Sequence, residues 1–377
     1  MSVFTTRPGL RWLAPAAAAL AVLGGGVAIG AITAAADPAL PTRGAAQLLV
    51  DLQTARLEGL SGTVVLRSDL GLPPLPGLTG DGDADLASLV SGTHTMRVWY
   101  SGPDKARVAI LDTLGETDVI RNGNDVWTWN SRKNEASHAT LPPGVMGLPS
   151  TFTMPGTNPE QVARAALALI EPSTQVSVDG SAEVAGRDAY ELVLVPRDRA
   201  SLVGSVRLAI DATEHLPLRV AVYARGADQA AIEVAFTRIS FTRPDPDQFV
   251  FNPPPGAKVV EERPDTPAPG KADPKADPKD RPDLRRAVVG SGWTSVLVMR
   301  VPKEIDTEVG ENPKGAEQLQ NMIKRLPRVS GSWGGGHVLS SALFSVLVTD
   351  DGRLLVGAVT PARLAEAAAD PAAKLAD

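Results

Sequence analysis

Apolar residues recur at helical spacing over residues 42–59: Ala45, Leu48, Leu49, Leu52 and Ala55 fall on one face. Thr42 can cap that helix, and Gly59 with Ser61-Gly62 ends it. Beyond this point the period falls to two. Thr63–Arg67, Thr95–Tyr100 and Ala106–Leu111 are short runs of β-branched and aromatic residues, which predicts strands. The stretch 69–93 between the first two is rich in Gly, Pro and Asp and reads as a long loop. Asn122-Gly123 lies between the strand-forming runs 117–121 and 125–130, and predicts a tight hairpin turn with positive φ angles. Trp127 and Trp129, two residues apart, share one face of the second strand.

Asn158-Pro159-Glu160-Gln161 carries the signals of a helix start, and the apolar body to Ile170 is stopped by Pro172. Strands are expected again at 175–178, 182–195, 205–211, 218–224 and 232–241, with Phe249-Val250-Phe251 as a last edge strand before three prolines. No strand–helix alternation is present, so a parallel α/β sheet is excluded in favour of one large antiparallel sheet carrying two helices. Residues 261–283 hold six prolines and twelve charged side chains, a composition that cannot bury enough apolar surface to fold and reads as a linker. After it, 287–301 and 340–349 read as strands, 315–325 as a helix, Asp350-Asp351-Gly352 as a turn, 354–359 as a strand and 361–369 as a helical tail.

Residues 1–36 have Arg7 and Arg11, no acid, a long apolar stretch and Ala34-Ala35-Ala36 at the end. This reads as an export signal, either cleaved or retained as a membrane anchor, because the stretch is about as long as the roughly 20 residues that span a bilayer. Either way the rest of the chain lies outside the cytoplasm. The expected organisation is a signal or anchor (1–36), a binding domain (42–260), a linker (261–283) and a small α+β domain with a helical tail (284–377).

Composition narrows the chemistry. The 377 residues include no cysteine, which removes disulfides, thiolate metal sites and thiol nucleophiles. A formal net charge of −6 argues against nucleic acid as a partner. His94, His138, His215 and His337 form no metal-ligand spacing, and no nucleophile elbow or phosphate loop is present. Gly334-Gly335-Gly336 reads as a flexible loop, and Asp81, Asp83 and Asp85 lack the downstream Glu of a calcium loop. No catalytic residues, metal or cofactor are therefore expected, and an envelope hydrolase would rest on location alone.

The large sheet is the remaining candidate. A half-closed sheet under movable helices would leave an apolar cavity suited to an acyl chain, lined by Val64, Val98, Trp99, Val119, Trp127, Trp129, Leu194, Leu208 and Val222. The same residues could equally pack a dry core.

The hairpin segment 112–130, the run Val184-Ala185-Gly186-Arg187-Asp188-Ala189-Tyr190 with its continuation to Pro196, and the ending Asp245-Pro246-Asp247-Gln248-Phe249-Val250-Phe251 together resemble the LolA-like lipoprotein-carrier superfamily. They are also similar to the N-terminal half of RseB-type regulators of extracytoplasmic sigma factors. The resemblance covers about residues 42–260. It implies an α+β fold whose large antiparallel sheet forms an unclosed half β-barrel covered by helices, with the small C-terminal α+β domain added. It also implies a non-enzymatic role: binding lipid or lipoprotein acyl chains or, in an RseB-like regulator, a membrane protein such as an anti-sigma factor, reached through the C-terminal unit.

Overall fold

The computed structural model describes residues 40–72, 91–112, 115–141, 172–262, 286–300 and 323–374. The expected export signal or anchor, the helix at 158–170, most of the 69–93 loop and Asp81–Asp85 lie outside these residues. Among the described residues no helix is long and apolar enough to cross a membrane.

Helix α1 spans Ala45–Thr54 and is shorter than its apolar pattern suggested. Gly44, not Thr42, is its N-cap, and Asp51 is held by Arg43 and by Gln47 at 3.0 Å. Twelve strands follow: β1 (Leu60–Ser68), β2 (Gly92–Tyr100), β3 (Lys105–Asp112), β4 (Gly115–Asn122), β5 (Asp125–Asn130), β6 (Glu135–Thr140), β7 (Thr174–Val184), β8 (Arg187–Pro196), β9 (Val203–Asp211), β10 (Pro217–Ala224), β11 (Ala230–Ser240) and β12 (Lys258–Glu262). They form one unclosed sheet in the order β12-β6-β5-β4-β3-β2-β1-β11-β10-β9-β8-β7. Every neighbouring pair is antiparallel except β12 with β6. This is the expected half-barrel.

Several local expectations change. The β4–β5 turn is made by Gly123 and Asn124, with Asn122 still paired to Asp125; of these only Gly123 (φ 65°) has positive φ. The run 182–195 is not one strand. It folds back at Ala185 (φ 54°) and Gly186 (φ 73°), because two successive positive φ angles make the tight turn of a hairpin. Arg187 then closes on the buried carboxylate of Asp211, its Nη2 3.0 Å from Oδ1. That carboxylate also accepts from the backbone N–H groups of Thr213 and Glu214. Burial opposes ionisation of Asp211, but these donors outweigh it and hold its pKa below the usual carboxylate value.

Phe249–Phe251 is not an edge strand. Pro246–Phe249 forms a 3-10 turn, and the chain then crosses the sheet before β12 takes the edge position. Three prolines and a crossing direction leave no ladder for 249–251 to join. Phe249 is 1% exposed, and the Phe251 ring lies 5.3 Å from that of Trp127 and 5.8 Å from that of Trp129. The segment 246–254 is thus a strap over β3–β6.

A second, six-stranded antiparallel sheet runs β13 (Arg286–Val289), β14 (Val296–Arg300), β18 (Arg353–Gly357), β17 (Ser345–Thr349), β16 (Gly334–Ser340) and β15 (Arg328–Gly331). Two expected single strands are hairpins here, broken at Gly290–Ser295 and at Ser341–Phe344. The Gly334–Gly336 run belongs to strand β16 and is not a loop. Helix α2 (Pro361–Ala369), capped by Thr360, packs Leu364 and Ala367 into this unit's own core with Val296, Val298, Leu347 and Leu355. Buried Arg353 donates to the carbonyls of Ala368 and Ala373 and ties the tail to β18.

Phe249→Ala should destabilise the protein by about 3–5 kcal/mol, read as a lower urea midpoint. An unchanged midpoint would mean that the strap adds no packing.

Candidate acyl-chain site

Pairing register assigns each strand residue to one of two faces, because side chains alternate along a strand. Across β2–β4, Val98 pairs with Val108 and Val108 with Val119. In the other half, Leu66 opposes Val234, Val234 opposes Val220, Val220 opposes Leu208 and Leu208 opposes Leu192. The neighbouring row is Ile232, Val222, Val206, Leu194 and Val176. Val64, Val98, Val119, Leu194, Leu208 and Val222 therefore share one aliphatic face. Val64 is 2% exposed in its main cluster, and Val98, Leu194, Leu208 and Val222 pack against that cluster; Val119 is 38% exposed.

Trp99, Trp127 and Trp129 are on the opposite face. Trp99 opposes Arg107, Arg107 opposes Ile120, Ile120 opposes Trp127, and Trp127 opposes His138. Trp129 opposes Asp118 one step along the same face. A single cavity cannot be lined by both sets, since Val98 and Trp99 are adjacent residues and point to opposite sides of the pleat. The tryptophans instead build a second layer beneath the strap.

That layer holds the buried Asp118, whose partner is Arg107 at 2.6 Å. Burial pushes the Asp118 carboxyl up, and the Arg107 charge only partly offsets this. Arg107 also lies over the Trp99 ring at 5.3 Å. At the sheet edge the Trp127 indole stacks on His138 at 4.3 Å. The ring nitrogens of His138 meet Glu261 (2.8 Å) and Asp125 (3.1 Å). Lys258 meets Glu135 at 2.7 Å, so β12 is latched to β6 by two side-chain pairs. Farther along this face, Glu191 bridges Arg207 (2.8 Å) and Arg219 (2.5 Å), and Arg67 faces Glu233. A groove of about 440 Å³ opens beside Arg207, Tyr223 and Arg225. Its cations are already engaged: Arg207 with Asp179 and Glu191, Arg225 with the carbonyls of Ser201, Asp198 and Val203.

Among the described residues the aliphatic face is covered by α1 and by the C-terminal unit. Leu48 of α1 packs on Tyr190, Leu192 and Ile210, and the Tyr190 hydroxyl donates to the Pro41 carbonyl at 2.9 Å, fixing the approach to the helix. The second cover comes from the C-terminal unit. Leu343 is 6% exposed within the same cluster as Val64, Leu66, Met96, Val206 and Val220, with Ala342, Phe344 and Trp293 packed beside it. Trp293 Nε1 donates to Thr174 Oγ1 at 2.7 Å. Leu343 and Trp293 were missed in the sequence. One signal was available: Ala342-Leu343-Phe344 sits between serines at a hairpin tip, where three successive apolar residues require a partner surface. No group of three or more metal-ligating side chains occurs among the described residues.

Comparison with known proteins agrees with this architecture. The sequence model of the family described as MucB/RseB N-terminal domain matches residues 90–254, so the motif resemblance is confirmed over that stretch, somewhat under half of the chain. Over residues 90–254 the chain is therefore similar to the MucB/RseB N-terminal domain. A structure of the Pseudomonas aeruginosa MucA/MucB complex is 17% identical over 86% of this chain and 96% of that chain, with a TM-score of 0.42. A LolA superfamily protein from Nitrosomonas europaea is 14% identical, covering 56% of this chain and 99% of that one, with a TM-score of 0.19. A putative outer membrane lipoprotein-sorting protein domain from Vibrio parahaemolyticus is 12% identical over 54% and 97%, with a TM-score of 0.21. No curated protein matches the chain in sequence.

The β12 latch should depend on pH. Burial lowers the His138 pKa, but the hydrogen bonds and charges of Glu261 and Asp125 outweigh it and raise the folded-state value. The latch therefore contributes fully below the unfolded value of about 6.5 and weakens as pH rises through the folded one. Amides 258–262, corrected for intrinsic rate, should exchange faster at pH 8 than at pH 6, and Glu261→Gln should reduce that difference. Equal protection at both pH values would show that His138 holds nothing.

Proposed function

We propose that this is an exported, non-enzymatic binding protein of the cell envelope that holds acyl chains of lipid or lipoprotein against the aliphatic face of its half-barrel. One observation carries the reading: a continuous row of Val, Leu and Ile side chains runs from β7 through β11 to β1, with a second stretch on β2–β4. Among the described residues its cover includes a ten-residue helix and, from the C-terminal unit, a hairpin tip with Trp293 beside it. Such a surface binds methylene groups without directional chemistry, at about 0.8 kcal/mol for each one buried. Val64, Val98, Val119, Leu194, Leu208 and Val222 are the proposed contacts; the three tryptophans are assigned to packing under the strap.

A second reading is favoured by the family match at residues 90–254 and by the second folded unit on the aliphatic face. In it the protein is an RseB-like regulator that binds a membrane protein such as an anti-sigma factor through the C-terminal unit. The two readings are compatible when acyl binding is the signal and partner binding the output.

Organic extracts of the natively purified protein should yield acyl lipids by mass spectrometry, and Val222→Asp should lower the yield. A lipid-free extract together with no binding of a fluorescent fatty acid would overturn the acyl reading. For the regulator, membrane-protein capture by the full chain should be lost on deleting residues 284–377; undiminished capture would rule out the C-terminal unit as the contact.

A further inference from the structure

The aliphatic face and the C-terminal unit meet through a self-braced finger. Between β16 and β17 the chain turns at Ser341–Phe344, where Ser341 Oγ accepts from the N–H groups of Leu343 (3.3 Å) and Phe344 (3.0 Å). Ser341 N–H donates to the Phe344 carbonyl at 2.9 Å, closing the loop on itself. Ala342 N–H then donates across the units to the Leu70 carbonyl at 2.8 Å. The finger is therefore preshaped by its own unit and presents its apolar tip outward.

Leu343 is buried in the wrong core for its place in the chain. The C-terminal unit has its own cluster, with Val338 and Leu347 on the two strands that carry the finger, and Leu343 does not belong to it. It belongs to the cluster of the twelve-stranded sheet. Elsewhere the units join through Trp293, which packs against the cluster of the twelve-stranded sheet and donates to Thr174 Oγ1 at 2.7 Å, and through a short bridge, Ser201 with Val359, flanked by Leu202 N–H to Ala358 O (2.9 Å) and Thr360 N–H to Ala200 O (3.1 Å). The core of the C-terminal unit includes no residue of the finger.

We infer that the Ala342-Leu343-Phe344 finger is a built-in plug that occupies part of the acyl-chain surface, so that ligand entry and finger docking exclude one another. This rests on the acyl reading above and supplies its regulation. Leu343 is buried in one cluster with Val64, Leu66, Val206 and Val220, by the same aliphatic chemistry an acyl chain would use. Two occupants of one surface are linked reciprocally: a docked finger weakens ligand binding by the fraction of time the surface is blocked, and a bound chain drives the finger out. A lipid signal on the N-terminal sheet would then be converted into release of the C-terminal unit.

The test is titration of the purified full-length protein with cis-parinaric acid, comparing the parent with Leu343→Asp and Leu343→Ala. Leu343→Asp should tighten binding about tenfold or more, the factor that corresponds to fully burying one leucine, and Leu343→Ala should tighten it less. In the parent, saturating cis-parinaric acid should speed hydrogen exchange at the Ala342 amide. Equal or weaker binding by Leu343→Asp, with the circular dichroism spectrum unchanged, would overturn the plug and make the finger part of the site wall. Binding by neither parent nor variants would remove the acyl reading itself, and the plug with it. Unchanged exchange at Ala342 on saturation would show that ligand and finger coexist, which also overturns the proposal.

Discussion

An unclosed sheet of twelve strands cannot leave its aliphatic side in water, and the rest of the molecule is arranged around that constraint. Eleven strand spacings give a width of about 50 Å, while a ten-residue helix is about 15 Å long. Helix α1 therefore covers one end of the sheet, over β7–β9, and further cover has to come from elsewhere. Part of it is the tip of a hairpin that belongs to another folded unit. The hydrophobic effect rewards any methylene surface that excludes water and does not distinguish leucine from lipid.

The opposite face follows a different principle in each half. Over β2–β6 it is a dry layer of Trp127, Trp129, Phe249 and Phe251 held down by the strap, with Arg107 and Asp118 paired inside it. Over β8–β11 it is wet and held by crossed ion pairs around Glu191. This division accounts for the motif residues that mark the family. Asp245 caps the turn that starts the strap, Phe249 and Phe251 anchor it, Gly186 makes a hairpin turn, Arg187 locks that turn to Asp211, and Tyr190 fixes the approach to α1. All of them shape the half-barrel.

Two separate cores are joined by Leu343 with its apolar neighbours, by Trp293 and its hydrogen bond to Thr174, and by a few backbone hydrogen bonds. That is the physical requirement for any device in which occupancy of one unit is reported by the other.

Much of this was legible along the chain. Period-two runs and the absence of strand–helix alternation were enough for a large antiparallel sheet, and the run 361–369 was read correctly as the last helix, since these signals act within a few residues. Breaks inside apolar runs were not legible at 182–195 or 287–301, because turns carried by Ala185-Gly186 and Gly290–Ser295 look like uninterrupted strand composition. Adjacency in the chain already puts Val98 and Trp99 on opposite faces, but that Trp127 shares the face of Trp99, and Val119 that of Val98, follows from registers between strands. By itself the sequence determined a cysteine-free chain built on one large antiparallel sheet with a greasy side, because composition and local periodicity are properties of neighbouring residues. Tertiary structure alone decided which residues form that side, that the strap covers the other, and that Leu343 fills a core not its own, because register and docking depend on surfaces brought together only when the chain folds.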